Sequence, residues 1–417
     1  MTEEAKTWPV AVVGAGAAGL LAAIFAARAG VRVLLLETRP VPGAKIRVSG
    51  GGRCNILPSR VGLENYHTDG SRHTLRNILF SWPLGEVRGF FERDLGLPLA
   101  VEETGKVFPA SNSARDVVDA LLRECRRTGV TLAGDSRVEV LRRAEAPGCP
   151  GFLLETASGG RIEAWRVVLA TGGLSLPRTG SDGGGLRLAR AMGHGMREPY
   201  PALVPLRSAD PAWLELAGIS LPARLRAMDG AALLEEREGD LLFTHRGFSG
   251  PVVLDLSRHV TRRAGGTVRL LAAWGGSSAP AWEDLLTVPG RRQVATLLRD
   301  HLPRRLIDRL MALAGVSEAR ATSELPRAER LRLVEMLTAC PLPVAGDEGY
   351  GVAEVTGGGV PLDEVVPRTL ESRIVPGLHM AGEMLDVVGH IGGYNFLWAW
   401  VTGRKAGEAA AAGLRQG

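Results

Sequence analysis

The segment "WPVAVVGAGAAGLLAAIFAARAGVRVLLLE", residues 8–37, decides the fold of this 417-residue chain. The apolar run at 9–13 predicts a buried strand, residues 17–29 predict a helix, and residues 31–36 predict a second strand. Glycines fill the turn between the first strand and the helix, and an acidic residue follows the second strand. This order predicts an α/β protein that begins with a dinucleotide-binding unit.

The turn carries the pattern G-x-G-x-x-G, in which each glycine has its own purpose. Gly14 permits the tight turn, Gly16 lets a pyrophosphate approach the backbone, and Gly19 lets the helix pack closely on the strand. The N-terminus of the helix offers free N–H groups to the phosphates. Glu37 comes 18 residues after Gly19, and its carboxylate can accept the hydroxyls of an adenosine ribose. The pattern leaves NAD and FAD as alternatives.

Three further segments place glycines at the ends of predicted buried strands or at the start of a predicted helix. They are "RVVLATGG" (166–173), "PGLHMAGE" (376–383) and "DVVGHIGGYNFLWAWVTGRKAG" (386–407). Open α/β sheets bind ligands at the carboxyl ends of their strands, so a Rossmann-like sheet with a ligand longer than the adenylate half of NAD is expected. The last segment predicts a helix from about Gly393, whose positive N-terminus would favour a reduced flavin.

The composition is that of a globular protein with a basic balance. Hydrophobic residues make up 45% and charged residues 23%, and the net charge is +5. Only four of the 50 basic residues are lysines, and the arginines form scattered pairs. A nucleic-acid-binding face needs a clustered basic stripe with aromatic residues, so the pattern favours a small-molecule substrate over a nucleic acid.

The cysteines and the N-terminus bear on compartment and on metal binding. Cysteines 54, 125, 149 and 340 form no C-x-x-C pair, which predicts neither a zinc site nor a disulfide framework. The start "MTEEAK" is acidic and does not have the pattern of a signal peptide. No run reaches the roughly 18 apolar residues of a membrane span. A cytoplasmic protein without a metal or a membrane partner is expected, and its oligomeric state is left open.

The pattern changes in the middle of the chain. "LPARLRAMDG", "LLEEREGDLLFTH" and "TVRLLAAW" predict strands of an antiparallel domain. Helices are predicted over 291–302, 304–314 and 327–339. In the third predicted helix, the apolar residues follow a mostly helical spacing, which predicts that they pack in the core. These residues are Leu331, Leu333, Val334 and Leu337.

Four side chains are open to a chemical and to a structural interpretation. His245, in "FTHRGFSGP", could be a general acid or a substrate contact, while Ser249 in the same loop could cap a helix. His390 precedes the last helix and could contact substrate. Arg53 directly follows the three glycines of "SGGGRCN" (49–55), and the pattern leaves open what its guanidinium binds. Cys54 beside it is either a redox thiol or a small packed residue.

These motifs together resemble one family, and the match runs nearly end to end. The chain resembles the aminoacetone oxidase family of bacterial FAD-binding enzymes, among the NAD(P)/FAD-dependent oxidoreductases with two dinucleotide-binding-like domains. The matching segments are "GAGAAG" (14–19), "GAKIRVSGGGRCN" (43–55), "GKVFPASNSARDVVDAL" (105–121), "ATGGLSLPRTGSDGGG" (170–185), "LFTHRGFSGP" (242–251), "AEVTGGGV" (353–360) and "PGLHMAGEMLDVVGHIGGYNFLWAW" (376–400).

The resemblance implies FAD as the tightly held ligand, and it assigns parts of the site. Val138 would meet adenine through its backbone, Gly382 and Glu383 the ribityl chain, and Gly393 to Asn395 the flavin ring. The segment "SGGGRCN" would lie against the flavin and its phosphate link, where Arg53 would offer a fork of donors to the cofactor or to a substrate anion. Family members usually carry Asp where His390 stands, which puts polar substrate contacts near the ring in doubt. The full set of expected cofactor-binding residues is Gly14, Gly16, Ala17, Ala18, Gly19, Glu37, Thr38, Arg39, Lys45, Gly50, Gly51, Arg53, Cys54, Asn55, Val138, Ala170, Thr171, Gly172, Gly382, Glu383, Gly393, Tyr394 and Asn395.

The resemblance also implies the domain order. Residues 1–194 and 350–417 are expected to form a discontinuous Rossmann-like FAD-binding domain. Residues 195–349 are expected to form an inserted antiparallel β domain, with a small helical subdomain at about 285–340.

The expected function is that of an FAD-dependent oxidoreductase that transfers hydride through flavin N5 to or from a small molecule. Only one nucleotide-binding pattern is found, so NAD(P)H would dock transiently in a reductase of an activated C=C or C=O bond. The alternatives are an oxygen-using amine oxidase, an FAD-dependent RNA-modifying enzyme, and a flavin redox sensor without turnover. Arg53, His245 and His390 are the candidate catalytic residues.

Overall fold

A computed structural model describes residues 7–144, 151–262, 268–288 and 290–414 of the chain. The chain divides into two compact units. The first comprises the chain up to Tyr200 and again from Glu354 onwards, and the second runs from Pro201 to Ala353. Each unit has its own cluster of buried apolar side chains. Cys149 lies outside the described residues.

Short strands and helices alternate through the N-terminal part of the first unit. In chain order, the elements up to Ala202 are β1 (Thr7–Val13), α1 (Ala17–Arg28), β2 (Val33–Leu36), α2 (Ala44–Val48), β3 (Leu57–Pro58), β4 (Tyr66–His67), α3 (Arg72–Leu79), α4 (Leu84–Gly89), β5 (Leu99–Val101), β6 (Lys106–Pro109), α5 (Ala114–Arg127), β7 (Thr131–Ala133), β8 (Val138–Arg143), β9 (Phe152–Thr156), β10 (Arg161–Leu169), α6 (Gly184–Ala191) and β11 (Arg197–Ala202).

The second unit follows, and the chain then returns to the first. The elements of the second unit are β12 (Leu206–Ser208), β13 (Ser220–Asp229), β14 (Ala232–Phe243), β15 (Gly247–Ser249), α7 (Pro251–Thr261), β16 (Val268–Trp274), α8 (Ala279–Leu286), α9 (Val294–Leu298), α10 (Arg304–Ala314), α11 (Arg327–Thr338), β17 (Cys340–Leu342) and β18 (Val344–Asp347). The returning chain forms β19 (Val355–Gly359), β20 (Leu378–Met380), β21 (Val388–Gly389) and α12 (Tyr394–Ala411).

A parallel sheet organises the first unit, in the order β7-β2-β1-β10-β20. The first half of β10 pairs instead with β9, which pairs with β8, so an antiparallel meander extends the sheet. The strands β1 and β2 are almost wholly buried, which explains their continuous apolar runs. This arrangement confirms the predicted Rossmann-like fold.

The last helix packs unusually closely on the first. A Cβ at Gly403 would overlap the carbonyl oxygen of Ala18, and a Cβ at Gly407 would overlap that of Ala22. Glycine is therefore required on this face of α12, because the backbones of α1 and α12 meet without side chains between them. The contact holds the C-terminal helix against the helix of the nucleotide-binding turn.

The second unit contains a seven-stranded sheet in the order β17-β16-β13-β14-β15-β12-β18, with antiparallel pairing throughout. This confirms the predicted antiparallel β domain. Side chains of the neighbouring helices, including Leu298, Leu306 and Leu333, belong to the same buried cluster as those of the strands. The helices and the sheet therefore share one core.

Three local predictions in the second unit are wrong. The helix expected over 291–302 is the shorter α9, since a turn leads from it to Pro303, which cannot continue a helix. Gly250 rather than Ser249 caps α7, because Ser249 still belongs to β15. Leu331 is 46% exposed, because it lies two residues, or about 200°, around the helix from the buried Leu333.

None of the helices in the described part of the chain is both long enough and apolar enough to cross a membrane.

Candidate cofactor site and active site

Five parallel strands of the first unit end in one row. The last residues of β1, β10 and β20 are Val13, Leu169 and Met380, and they are partners across the sheet. On the other side Val13 pairs with Leu36 of β2, and Leu36 pairs with Ala133 of β7. The predicted site residues of these strands begin one or two positions beyond the row. The sheet therefore brings residues 14–19, 37–39, 170–172 and 382–383 to a single edge, as expected for an open α/β sheet.

The glycines of the first turn differ in what surrounds them. A Cβ at Gly14 would lie 2.6 Å from the carbonyl oxygen of Ala170, and a Cβ at Gly19 would overlap the carbonyl oxygen of Gly14. The protein itself therefore requires glycine at both positions. A Cβ at Gly16 would meet no atom within 4 Å. Gly16, at the N-cap of α1, thus borders open space where a pyrophosphate could contact the N–H groups of Ala17 and Ala18.

Glu37 lies at the end of β2 with only 9% of its surface exposed. Its Oε2 accepts a hydrogen bond from the Ala15 N–H at 2.8 Å, and its Oε1 accepts one from the Arg39 N–H at 2.9 Å. Burial raises the pKa of Glu37, against the lowering effect of these donors and of the Thr38 N–H. A carboxylate fixed in this way beside the glycine turn keeps lone pairs free for ribose hydroxyls.

The residues around Glu37 include the predicted adenine contact. The Ser136 N–H donates to the Glu37 carbonyl at 2.8 Å, which places Val138, the first residue of β8, next to the end of β2. A Cβ at Gly180 would lie 3.6 Å from Glu37 Oε1, so the 180–182 loop borders the same place.

Two buried side-chain hydroxyls near this loop lack a hydrogen-bond partner among the described residues. They are Thr171 Oγ1 and Ser181 Oγ. A Cβ at Gly172 would lie 2.6 Å from Ser181 Oγ, so the two hydroxyl-bearing residues flank one glycine. Buried hydroxyls normally find partners, and a phosphate or ribose oxygen of a nucleotide would supply them here.

A polar network joins three distant parts of the chain at the same edge. Lys45 Nζ lies 2.5 Å from Glu383 Oε2 and 2.5 Å from Ser175 Oγ. The other oxygen of Glu383 accepts hydrogen bonds from Ser175 Oγ at 2.7 Å and from the Thr356 N–H at 2.9 Å. Both charged residues were predicted from the family resemblance, whereas Ser175 and Thr356 were missed because neither has a distinctive local pattern.

Gly382 is held from the C-terminal helix. Its N–H donates to Thr402 Oγ1 at 2.9 Å, and its carbonyl accepts from the indole N–H of Trp398 at 3.1 Å. A Cβ at Gly382 would lie 2.9 Å from the Cβ of Ala18. Thr402 and Trp398 therefore hold the backbone of Gly382 in place, and no local pattern identified Thr402.

The "SGGGRCN" segment makes an unusual local turn. Gly50, Gly51 and Gly52 have φ angles of 55°, 68° and 84°, in the left-handed region that favours glycine. This backbone explains the three glycines within the chain itself. Cys54 is fully buried, and burial raises the pKa of its thiol to about 12, so its environment favours the packing interpretation over a redox thiol.

Arg53 already has protein partners. Its Nη1 lies 2.7 Å from Glu102 Oε1, and its guanidinium lies 4.2 Å from the ring centre of Phe108. Its side chain is 44% exposed. The remaining N–H groups of the fork could contact a ligand.

The same segment reaches the start of α12. With the Asn55 amide oriented to satisfy its neighbours, its nitrogen donates to the Leu57 carbonyl and its oxygen accepts from the Gly393 N–H at 3.2 Å. The side chain of Asn395 closes the preceding loop through two hydrogen bonds to Gly389, both 2.8 Å. The structure thus joins the two segments that the family resemblance assigns to the flavin ring.

Tyr394 and His390 lie beside this junction. The Tyr394 carbonyl accepts a hydrogen bond from Tyr66 Oη at 2.9 Å, and the Tyr394 ring meets the His390 ring edge-on, 6.4 Å between centres. The side chain of His390 is buried, and the backbone N–H of His390 donates to the Asn65 carbonyl at 2.9 Å. The third candidate, His245, is exposed in the turn after β14 of the second unit.

The donor set at this edge fits FAD. It offers an open glycine turn at a helix N-terminus, a buried carboxylate, two unsatisfied hydroxyls and a second helix N-terminus at Gly393. Among the described residues, no group of His, Cys, Asp and Glu has the arrangement of a metal site.

Comparison with known proteins supports this assignment. Residues 8–409 match the model of the family described as HI0933-like protein Rossmann domain. The chain is 35% identical to the 3-dehydro-bile acid Δ(4,6)-reductase of Clostridium scindens, over 96% of this chain and 98% of that protein. It is 34% identical to the ribosomal RNA dihydrouridine synthase of Escherichia coli, over 93% and 94% of the two chains.

A solved structure shares the fold. The 3-ketosteroid Δ1-dehydrogenase of Sterolibacterium denitrificans superposes with a TM-score of 0.53 at 14% identity, covering 97% of this chain and 99% of that one. The two named relatives are a reductase and a synthase, and neither is named as an aminoacetone oxidase. The predicted membership of the NAD(P)/FAD-dependent oxidoreductases is confirmed. The chain belongs to the HI0933-like family of Rossmann-domain flavoproteins, and it is an FAD-dependent oxidoreductase.

Proposed function

We propose that this protein reduces a carbon–carbon double bond conjugated to a carbonyl group, with NAD(P)H as the electron donor. The observation that carries the proposal is the shared chemistry in the names of its relatives. A Δ(4,6)-reductase of 3-dehydro-bile acids and a dihydrouridine synthase each add two hydrogens across such a bond. The substrate favoured here is a small enone or dienone, since the relative at 35% identity acts on a 3-dehydro-bile acid.

We assign the cofactor by the geometry of the strand ends. The turn from Gly14 to Gly19 would bind the pyrophosphate, Glu37 the ribose, and the start of α12 the flavin ring. When bound, FAD would supply the hydride chemistry that links NAD(P)H to the β-carbon of the substrate, and a proton from the protein or from water would reach the α-carbon.

The chain's own residues would stabilise charge and supply the proton. Hydride addition places negative charge on the carbonyl oxygen, and the exposed N–H groups of Arg53 could stabilise it. His390, packed beside Tyr394, is the candidate for positioning the substrate or for donating the proton. Arg53→Lys keeps the charge but removes the planar fork, so a fall in kcat/KM of about 10- to 100-fold is expected.

The proposal is tested by anaerobic titration of the purified yellow protein with NADH and NADPH. Rapid loss of the visible flavin absorbance, followed by its recovery on addition of a 4-en-3-one or 4,6-dien-3-one steroid, is expected. Reduction of the flavin only by a small amine such as aminoacetone, followed by its re-oxidation by oxygen with formation of hydrogen peroxide, would support the amine-oxidase alternative instead. A flavin that no donor reduces would indicate a sensor without turnover.

A second candidate function is RNA modification, which the 34% identity to a ribosomal RNA dihydrouridine synthase favours. Uracil also contains a C=C bond conjugated to a carbonyl, so the same chemistry applies. The reduced protein is incubated with ribosomal RNA, and nucleosides from its digest are analysed by mass spectrometry. Formation of dihydrouridine together with indifference to steroid enones would favour this candidate over the small-molecule reductase.

A further inference from the structure

A second concave site lies on the first unit, away from the strand ends. It is a cavity of about 560 Å³ along the C-terminal half of α12. The loop at 366–369 and the turn at 81–82 form its other walls. Lys405 comes 12 residues after Gly393, which is about 18 Å along the helix at 1.5 Å per residue. The cavity is therefore distinct from the flavin end of the same helix.

Three cations line this cavity, with a single carboxylate among its lining residues. That carboxylate, Glu408, is already paired with Arg404 at 2.8 Å. Arg404 is further fixed by stacking over the Trp82 ring at 4.6 Å. One arginine is thus neutralised and held as part of the wall.

The other two cations, Lys405 and Arg368, have no carboxylate ion-pair partner among the described residues. Within the described part of the chain, the one hydrogen bond that Lys405 Nζ donates goes to the Arg368 carbonyl, at a long 3.4 Å. Burial lowers the pKa of Lys405; Glu408 opposes this effect, and the nearby Arg368 and Arg404 reinforce it. An ammonium that is partly desolvated beside two guanidinium groups gains stabilisation from an anion placed between them.

The remaining polar wall also suits an anion. Thr369 Oγ1 accepts a hydrogen bond from the Glu371 N–H at 3.3 Å, which leaves its own proton available to donate. A lysine, an arginine and a hydroxyl around one cavity form the usual donor set for a phosphate oxygen group.

We propose that the cavity bounded by Arg368, Thr369 and Lys405 binds a phosphate group, either of a free nucleotide or of a polynucleotide backbone. Both sources carry the same chemistry, and both occur among the ligands considered above. The proposal does not depend on which substrate the flavin site reduces, because the two sites lie at opposite ends of α12.

The test uses the FAD-loaded protein and three variants. The double variant Arg368→Ala/Lys405→Ala removes the two available cations, and Thr369→Glu places a negative charge in the cavity without removing any cation. The matched control is Arg115→Ala, since Arg115 is exposed on α5 and lies outside the cavity. Flavin absorbance and thermal unfolding establish that each variant is folded.

Binding is measured with pyrophosphate, NADPH, NADH and a fluorescently labelled single-stranded oligoribonucleotide. For at least one phosphate probe, affinity should fall about tenfold or more in both cavity variants and stay unchanged in the control. For the oligoribonucleotide, the slope of log K against log salt should become shallower by about 1.4 in the double variant, since each single-strand phosphate contact contributes roughly 0.7.

The outcomes separate the sources of the phosphate. If the cavity variants lose affinity for NADPH and pyrophosphate alone, the bound phosphate belongs to a free nucleotide. If they lose affinity for the oligoribonucleotide alone, the bound phosphate belongs to a polynucleotide backbone. If the wild-type protein binds none of the probes, or if both cavity variants bind every probe as the wild type does, the proposal is overturned. Reductase activity with an enone is measured in parallel, so failure of the cavity proposal is distinguishable from failure of the proposed function.

Discussion

The ammonium of Lys45 and the carboxylate of Glu383 meet at 2.5 Å, although 338 positions separate them in the chain. Lys45 lies in α2, and Glu383 follows β20. Ser175 completes the contact by approaching both groups. The pair therefore connects the segment after the nucleotide-binding turn to the last strand of the parallel sheet, at the edge where FAD is expected.

This pair should contribute more than a surface ion pair does. Lys45→Met leaves Glu383 without its cation, and the free energy of unfolding should fall by about 1–3 kcal/mol because the carboxylate is only 18% exposed. The double variant with Glu383→Gln should lose less than the sum of the single changes. Urea unfolding measures each corner of the cycle. The pair Arg88–Glu92, whose side chains are more exposed at 41% and 32%, serves as the control, with an expected coupling of about 0.5 kcal/mol or less.

Two alanine substitutions in the first turn should have opposite consequences for folding. Gly16→Ala adds a Cβ where no protein atom lies within 4 Å, and its φ of −82° suits alanine. The variant should fold and yet bind FAD poorly, because the methyl group occupies the space expected for the pyrophosphate. Gly19→Ala should not fold stably, because its Cβ would overlap the Gly14 carbonyl. Circular dichroism and flavin content distinguish the two, and a folded Gly16→Ala protein with full FAD would contradict the assignment.

Glu37 should affect cofactor binding and pH dependence separately. Glu37→Ala should lose bound FAD, and retention of a full complement would count against the ribose contact.

Burial raises the pKa of Glu37 above its ordinary value of 4.5. Its contribution to stability is then complete below about pH 4.5 and is lost as the pH rises through the folded-state pKa. Glu37→Gln should flatten that part of the profile in FAD-free protein, as measured by urea unfolding between about pH 4 and pH 8.

The buried cysteines should be unreactive in the folded protein. Burial raises the pKa of the thiols of Cys54, Cys125 and Cys340 to about 12 in each case. The thiolate is the reactive form, so iodoacetamide at about pH 8 should leave all three unmodified until the chain is denatured. Peptide mass spectrometry identifies the modified positions. Rapid labelling of Cys54 in the native protein would revive the redox-thiol hypothesis.

A Ser–His–Glu chain around the buried side chain of His194 should be structural and not catalytic. His194 lies 2.6 Å from Glu364 and 2.9 Å from Ser372 Oγ, the order found in serine hydrolases. The side chain of His194 is fully buried, and Ser372 Oγ already accepts N–H bonds from 374 and 375. A fluorophosphonate probe should therefore not label Ser372, whereas Ser372→Ala should lower the free energy of unfolding by about 1–3 kcal/mol.

The parallel sheet and its nucleotide-binding turn were predictable because their signals are local. The apolar run of β1, the three glycines and Glu37 lie within 30 residues, and each reflects a constraint from its own neighbours. The antiparallel strands of the second unit were predictable for the same reason, whereas the N-cap of α7 was not, because Ser249 is paired with Leu242 of β14.

Contacts between distant segments depended on the packed chain. No local pattern relates Lys45 to Glu383, Asn55 to Gly393 or His194 to Ser372, since the two members of each pair lie far apart in the chain and meet only in the tertiary structure. The exposure of Leu331 was likewise decided by which face of its helix met the sheet. Local sequence specifies the helices, the strands and their turns. The burial of a side chain and the partner of a charged group are set by the spatial arrangement of those helices and strands, which brings distant parts of the chain together.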